Sequence, residues 1–399
     1  MKFLYLILFT CCFGLNLTLH DFDNPSASHI LDAHIMDDIL IVVGMVGGIE
    51  IYDISNPVLL NHLSNFNLPG NGGGGGGGGT RPNCVSSSGS IAYFTSKNGV
   101  AMVDLSNPSN PQNLGYITGT SNYELENLEI HEDILVVCAH TDGVLFYDIS
   151  ISTSPELITI VNSENAWAVA LGDGGYNAEN SDFAYVADGT NIIVIEMGEN
   201  GIQEINSLET GSAVKDIAVD NLFLYAALGS DGVNVYDLSG WLGGTDDSPE
   251  FLDNINTAGM ANRLAVSDWK LGVADWDDVE VLEFDQQIVG YTDNSFLHVG
   301  YKNTTRRTMA IAAKDNYFYS AEWASVQVFE YGEIDSPDID LSAYELNYPF
   351  VENGESYTLS VDVTNNGGSV LEISDVFTTN NEFMPTTIES LAPGETQSI

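Results

Sequence analysis

Short apolar runs alternating with polar turns fill most of this chain, and no stretch carries the three-to-four-residue period of an amphipathic helix. Runs such as "ILIVVG" (39–44), "ILVVCA" (134–139) and "LFLYAAL" (222–228) are too short for buried helices and rich in β-branched and aromatic residues. Each leads through a tight turn into a second run in which apolar and polar positions alternate, ending on an acidic residue. The turns at Asn98-Gly99, Asp142-Gly143 and Asp231-Gly232 are of the type that supplies the positive φ a hairpin needs. A third run comes next, as in "QNLGYIT" (112–118). A fourth, rich in small residues, appears as "VKDIAVD" (214–220), "NRLAVSD" (262–268) and "RTMAIAA" (307–313). The pattern predicts β-structure throughout.

The alternating run recurs. "GGIEIYDISNP" (47–57) returns as "NGVAMVDLSNP" (98–108), "DGVLFYDIS" (142–150), "TNIIVIEMG" (190–198), "DGVNVYDLS" (231–239), "DVEVLEFD" (278–285) and "SVQVFEYG" (325–332). The acidic anchors are Asp53, Asp104, Asp148, Glu196, Asp237, Glu283 and Glu330, between 41 and 51 residues apart. A β-only repeat of about four strands points to blades around an axis. The expectation is an all-β chain: a seven-bladed β-propeller over 15–332, then a partial immunoglobulin-like β-sandwich. The opening "LNLTLHDF" (15–22) would complete the last blade and close the ring. Within each repeat the anchor Asp is read as a turn cap, accepting from backbone N–H groups just beyond it.

The motif "VDLSNPSNP" (103–111), with "FAYVADGTNIIVIE" (183–196), resembles the LVIVD-repeat family of extracellular and surface proteins. The likeness is good in repeats one, two, three and five. Repeats four, six and seven replace Asp by Glu and lose the Ser-Asn-Pro turn. The resemblance implies a surface-located propeller and carries no catalytic residue set. A WD-type repeat fits less well, because Trp276-Asp277 falls in a turn. Beyond a polar linker at 333–340, "SYTLSVDVTNNG" (356–367) and "LAPGETQSI" (391–399) resemble an immunoglobulin-like module of the Hydin type. Residues 341–399 are too few for a whole sandwich of about 100 residues, so the chain is expected to stop inside that module.

Charge and the first residues narrow the setting. Ten Lys+Arg stand against 57 Asp+Glu, a formal charge of −47. Nucleic acids and anionic membranes need basic side chains to displace counterions, so both are excluded as partners. Residues 1–14 read as a signal peptide: Met1-Lys2, an apolar stretch from Phe3 to Phe9, then small residues. Cys11 and Cys12 offer a weaker reading as a lipidation site. The chain is therefore expected outside the cell or on its surface, with a protein or glycan as partner and no transmembrane segment. Cys84 and Cys138 are read as two buried thiols rather than a bridge. The glycine run at 69–79 lacks the Lys-Ser/Thr of a phosphate loop and reads as a surface loop.

No nucleophile, zinc or phosphate motif is present. Asp275, Asp277 and Asp278 resemble the start of a calcium loop, but the glycine and terminal glutamate of that loop are missing, so a hairpin turn is expected. One constellation emerges from the repeats. Eight residues before each anchor lie Met45, Ser96, His140, Asp188, Gly229, Asp275 and Glu322. Further polar residues, Asp32, Asn127, Asp216, Arg263 and Arg307, begin the first strands. Both sets would gather at one mouth of the axial channel. His140, Asp188, Asp275 and Glu322 would then bind a small polar ligand or a divalent cation such as Ca2+, with Arg263 and Arg307 balancing charge; no other cofactor is implied. The plainer reading is that these strand ends simply face solvent. The expected function is a non-catalytic binding scaffold. The competing one is a hydrolase or lyase acting on a polysaccharide or small molecule with channel-mouth carboxylates.

Overall fold

A computed structural model describes residues 16–70, 81–173, 181–198, 201–220, 222–242, 248–267, 270–284, 296–332, 339–342, 357–365, 368, 370–373 and 390–399. The leader with Cys11 and Cys12, nearly all of the glycine run and most of the linker lie outside these residues. The chain divides into two compact units. One comprises 19–298 with 304–330, the other 1–18, 299–303 and 331–399.

The larger unit is a β-propeller. Five four-stranded antiparallel blades occupy 28–66, 82–116, 128–161, 166–209 and 216–255. In the first, strands Ser28–Met36, Ile39–Val46, Gly48–Asp53 and Asn61–Phe66 pair in chain order. The turns behave as their sequences require. Gly99, Gly143 and Gly232 have φ of 113°, 101° and 74°, and a Cβ on Gly143 or Gly232 would collide with the carbonyl oxygen of Val161 or Ile255.

The expectation of seven blades is wrong: the described residues form five. After the fifth blade the chain forms one continuous seven-stranded sheet. Its order is Arg263–Ser267, Lys270–Ala274, Trp276–Phe284, Phe296–Lys314, Tyr317–Glu322, Ser325–Gly332 and Asn16–Asp23, with the first of these at one edge and the N-terminal strand at the other. The physical cause lies in Phe296–Lys314. Glycine or proline follows the outer strand of most earlier repeats, whereas "YKNTTRRTMA" (301–310) contains neither, and its polar run is carried within the strand. The strand runs on for 19 residues and is shared by the last two repeats.

Packing obeys the alternation. Apolar faces of successive blades interleave, as where Val136, Cys138, Val144 and Phe146 meet Val169, Ala184, Val186 and Ile193. Ile30, Leu40, Val42 and Tyr52 of the first blade pack on Ala310, Tyr319, Ala321 and Val328, so the apolar layer closes on itself. Buried tyrosines bind the blades further: Tyr93 donates to the Ser152 carbonyl at 2.6 Å and Tyr319 to that of Pro57 at 3.0 Å. Both reach the turn beyond the anchor of the next repeat. Cys84 and Cys138 are free and buried, as expected.

The sandwich expected at the C-terminus is not shown by the described residues. Among the described residues, Ile339–Leu341, Asp362–Asn365 and Thr396–Ser398 make a three-stranded sheet, and Leu371–Glu372 pairs with Ser390–Leu391. Only Val363 and Leu391 are buried at its small apolar centre, too little for a core between two sheets.

Candidate functional site

The anchor aspartates do cap turns. Asp53, Asp104, Asp148 and Asp237 accept from the backbone N–H two residues on, at 2.7 to 2.9 Å. The hydrogen bonds from Ser55, Ser106 and Ser150 hold the first three carboxyls below their usual range. These residues are structural.

The first-strand column has a job of its own. Asp32, Asn127 and Asp216 each sit 21 residues before their anchors. Each accepts a hydrogen bond from the first strand of the next repeat: Val85 N–H at 2.8 Å, Val169 N–H at 3.2 Å and Leu264 N–H at 2.8 Å. An innermost strand has an open inner edge, and its N–H groups need acceptors that no further strand supplies. The three side chains are clasps between neighbouring repeats.

Arg263 is drawn into the same axial cluster. It donates through Nη1 to the carbonyls of Lys215 and Asn262, both at 3.2 Å. Its Nε has no hydrogen-bond partner among the described residues. Burial lowers its affinity for a proton, but the charges of Asp216 and Asp32 outweigh that effect and raise it. Glu129, which the repeat register does not single out, belongs here as well. Burial pushes its carboxyl up to about 7, and that of Asp216 up to about 6. Asp32 is raised for the same reason, against the pull of Arg263.

Among the described residues no group of ligand-type atoms at metal-binding distance contains His140, Asp188 or Glu322. His140 and Gly229 bridge through their backbones to Ala166 and Ala261 of the next repeat, both with left-handed φ (46° and 64°). The His140 ring meets Asn165 Oδ1 at 3.1 Å, Glu126 Oε2 at 3.7 Å and the edge of Trp167. Asp188 gathers the Ser163 hydroxyl at 2.9 Å and the N–H groups of Glu164 and Asn165. Glu322 accepts from Ser325 Oγ at 2.7 Å and from Gln327. Each holds a loop or strand end nearby.

Asp275 does join other carboxylates, though not Asp188 or Glu322. Asp275, Asp278 and Glu280, all buried, place ligand-type oxygens within 4.8 Å of one another. They come from one hairpin. Asp275 closes the strand Lys270–Ala274, Trp276 and Asp277 make the turn, and Asp278 and Glu280 lie beyond it on one face of Trp276–Phe284. Asp275 accepts from Thr257 Oγ1 at 2.9 Å and from Gly259 N–H, and Glu280 from Ala258 N–H at 2.7 Å. Burial, with the nearby charge of Glu280, raises the Asp275 carboxyl. The calcium-loop pattern includes Asp277, but Asp277 is exposed. Counting alternate residues along the strand selects Glu280 instead.

Arg307 engages aromatic rings. Its guanidinium lies over the rings of Trp276 at 4.6 Å and Trp323 at 5.6 Å. The Trp323 ring meets His29 at 4.2 Å. Trp276 keeps a left-handed backbone, φ 67°, unusual for a bulky residue.

No protein-family model matches this sequence, and no curated protein does. Solved structures do match. The β-propeller domain of Cps50 (Swd1) from Myceliophteria thermophila aligns with a TM-score of 0.58 at 10% identity, over 79% of this chain and 99% of that one. A chain of the Mitotic Checkpoint Complex aligns with a TM-score of 0.54 at 11% identity, over 80% and 93%. The computationally designed Ika8 protein gives 0.49 at 16% identity, over 75% and 83%. At such identities the first two likenesses establish the β-propeller fold and nothing finer. Among the described residues no helix is long and apolar enough to cross a membrane.

Proposed function

We propose that this propeller is a non-catalytic binding scaffold of LVIVD-repeat type, acting outside the cell or on its surface. The observation that carries the reading is the use to which its polar strand ends are put. Asp32, Asn127 and Asp216 clasp neighbouring repeats, while Asp188 and Glu322 hold local turns. Polar side chains spent on backbone N–H groups stiffen a platform and leave little for chemistry. The extracellular setting rests on the leader pattern and on the formal charge of −47.

A hydrolase or lyase acting from the mouth finds less support. Two catalytic carboxylates must flank an accessible bond, at roughly 5 to 9 Å. Asp275, Asp278 and Glu280 are sealed from solvent and crowd within 4.8 Å. Such a group is stable only with shared protons or an added positive charge. Oxygen donors of this kind would suit Ca2+ rather than a thiophilic metal.

One set of measurements tests the scaffold and identifies the counter-charge. Polysaccharides and small esters are incubated with the wild type and Glu280→Gln, and both proteins are melted with CaCl2, MgCl2 or EDTA. The expected result is no turnover by either protein. Turnover that disappears in Glu280→Gln overturns the non-catalytic reading. A Ca2+-dependent rise in melting temperature, lost in the variant, adds a cation to the scaffold; equal melting in all conditions means that no divalent cation is held there.

A further inference from the structure

The fifth blade carries an open cleft of about 770 Å3 that serves none of the roles above. It lies between the turn after Phe223–Ala227, the segment 209–212, and the outer strand Glu250–Ile255. Its size is that of a small-ligand site. We propose that this cleft binds a neutral saccharide, with the Phe251 ring as a stacking platform and the amides of Asn254 and Asn256 reading hydroxyl groups. The proposal does not rest on the scaffold reading.

The lining chemistry selects the ligand class. No Lys, Arg or His lines the cleft, whereas Glu209 and Asp231 do. Phosphate, sulfate and uronate ligands would meet only negative charge here, within a chain of formal charge −47. A purely apolar ligand would strand the amides. A neutral polyol satisfies both conditions, because each of its hydroxyls can donate to a carboxylate or amide oxygen and accept from an amide N–H.

The polar groups are built in rather than scattered. Asn234, with 6% of its surface exposed, lies beneath the cleft and donates to the Thr210 carbonyl at 3.4 Å and the Tyr236 hydroxyl at 3.2 Å. Its Oδ1 accepts from Asn254 Nδ2 at 2.8 Å. Asn254 also donates to the Asp231 carbonyl at 2.9 Å. Both amide hydrogens of Asn254 are thereby used, which fixes its orientation and leaves Oδ1 as an open acceptor. Asn256 is exposed and its amide has no protein partner among the described residues.

Phe251 supplies the apolar part. It is 54% exposed, yet its ring is braced edge-to-face against the buried Tyr236 at 5.7 Å. An aromatic face carries negative quadrupolar charge and attracts the weakly positive C–H groups of a pyranose ring. A held ring among amides loses little freedom when a sugar lies on it.

Saturation-transfer NMR and calorimetric titration with glucan, mannan and galactan tetrasaccharides test the site, with tetralysine as the probe for a basic peptide. The expected result is that at least one tetrasaccharide binds. Phe251→Ala and Asn256→Ala should each weaken it about tenfold, or ~1.4 kcal/mol. Both positions are exposed, so melting temperature should stay near that of the wild type, and Asn256→Ala keeps the test decisive if Phe251→Ala misfolds. The proposal is overturned if none of the three tetrasaccharides binds, if both variants bind as well as the wild type, or if tetralysine alone binds.

Discussion

Single residues in this protein set a pH response opposite to that of most acidic proteins. Glu129 and Asp216 titrate near 7 and 6 because burial disfavours their charged forms. In the unfolded chain such carboxyls titrate at about 4. Between about pH 4 and pH 7 the folded state therefore holds more protons, and stability rises as pH falls through that window. Asp53, Asp104 and Asp148 act in the other sense. Their lowered carboxyls contribute stability above about pH 4 that is lost as pH falls through the folded values. Melting temperature should thus pass through a maximum on the mildly acidic side. Glu129→Gln keeps the acceptor used by Ser86 and Ile130 and removes the charge. The variant should melt higher than the wild type near pH 8, by an amount on the order of 1 to 3 kcal/mol, and converge with it near pH 5. Parallel pH profiles for the two proteins would show that Glu129 does not titrate in this window.

At the scale of elements, the N-terminal strand is the most exacting case. Asn16–Asp23 lies at the edge of the seven-stranded sheet beside Ser325–Gly332. His20 Nε2 meets Glu330 Oε2 at 2.7 Å, Asp21 accepts from Leu60 N–H at 2.9 Å, and Asp23 accepts from the Tyr52 hydroxyl at 2.9 Å. Leu17 is fully buried. Removing residues 16–23 should destabilise the propeller by on the order of 2 kcal/mol from the loss of the Asp21 and Asp23 hydrogen bonds, and leave a bare sheet edge that invites association. Chemical denaturation and gel filtration of a chain beginning at Asn24 measure both. An unchanged midpoint with a monomeric profile would mean that the strand is only a tail. The merged sheet carries a lesson at this same scale. Where a strand ends depends on whether hydrogen-bond partners continue beside it, and local propensity says nothing of that.

For the molecule as a whole, charge is the dominant long-range term. The chain carries a formal charge of −47, and its ten basic residues cannot offset the self-repulsion. At about 0.01 M salt the screening length is about 30 Å, and at 0.15 M about 8 Å. Melting temperature should therefore climb as NaCl is raised between these limits, most steeply at the low end. A flat response would mean that the charges are too dispersed to interact.

By itself the sequence determined the repeat, the β-only character, the hairpin turns and the capping anchors. All of these are local: alternation fixes which face is buried, Asn-Gly and Asp-Gly fix the turns, and an Asp reaches its own backbone two residues on. Tertiary structure alone decided the number of blades, because Phe296–Lys314 crosses a boundary that the period implies but no turn residue enforces. It also decided the partners of the polar columns. Shared register placed His140, Asp188, Asp275 and Glu322 in one column, and the fold supplies each with hydrogen-bond partners close to it in the chain. The clasps of Asp32, Asn127 and Asp216, the Arg307 stack and the cleft beside Phe251 depend on distances between segments that become neighbours only when the chain folds. A repeat fixes where a side chain stands along its strand; only the folded ring fixes what stands opposite.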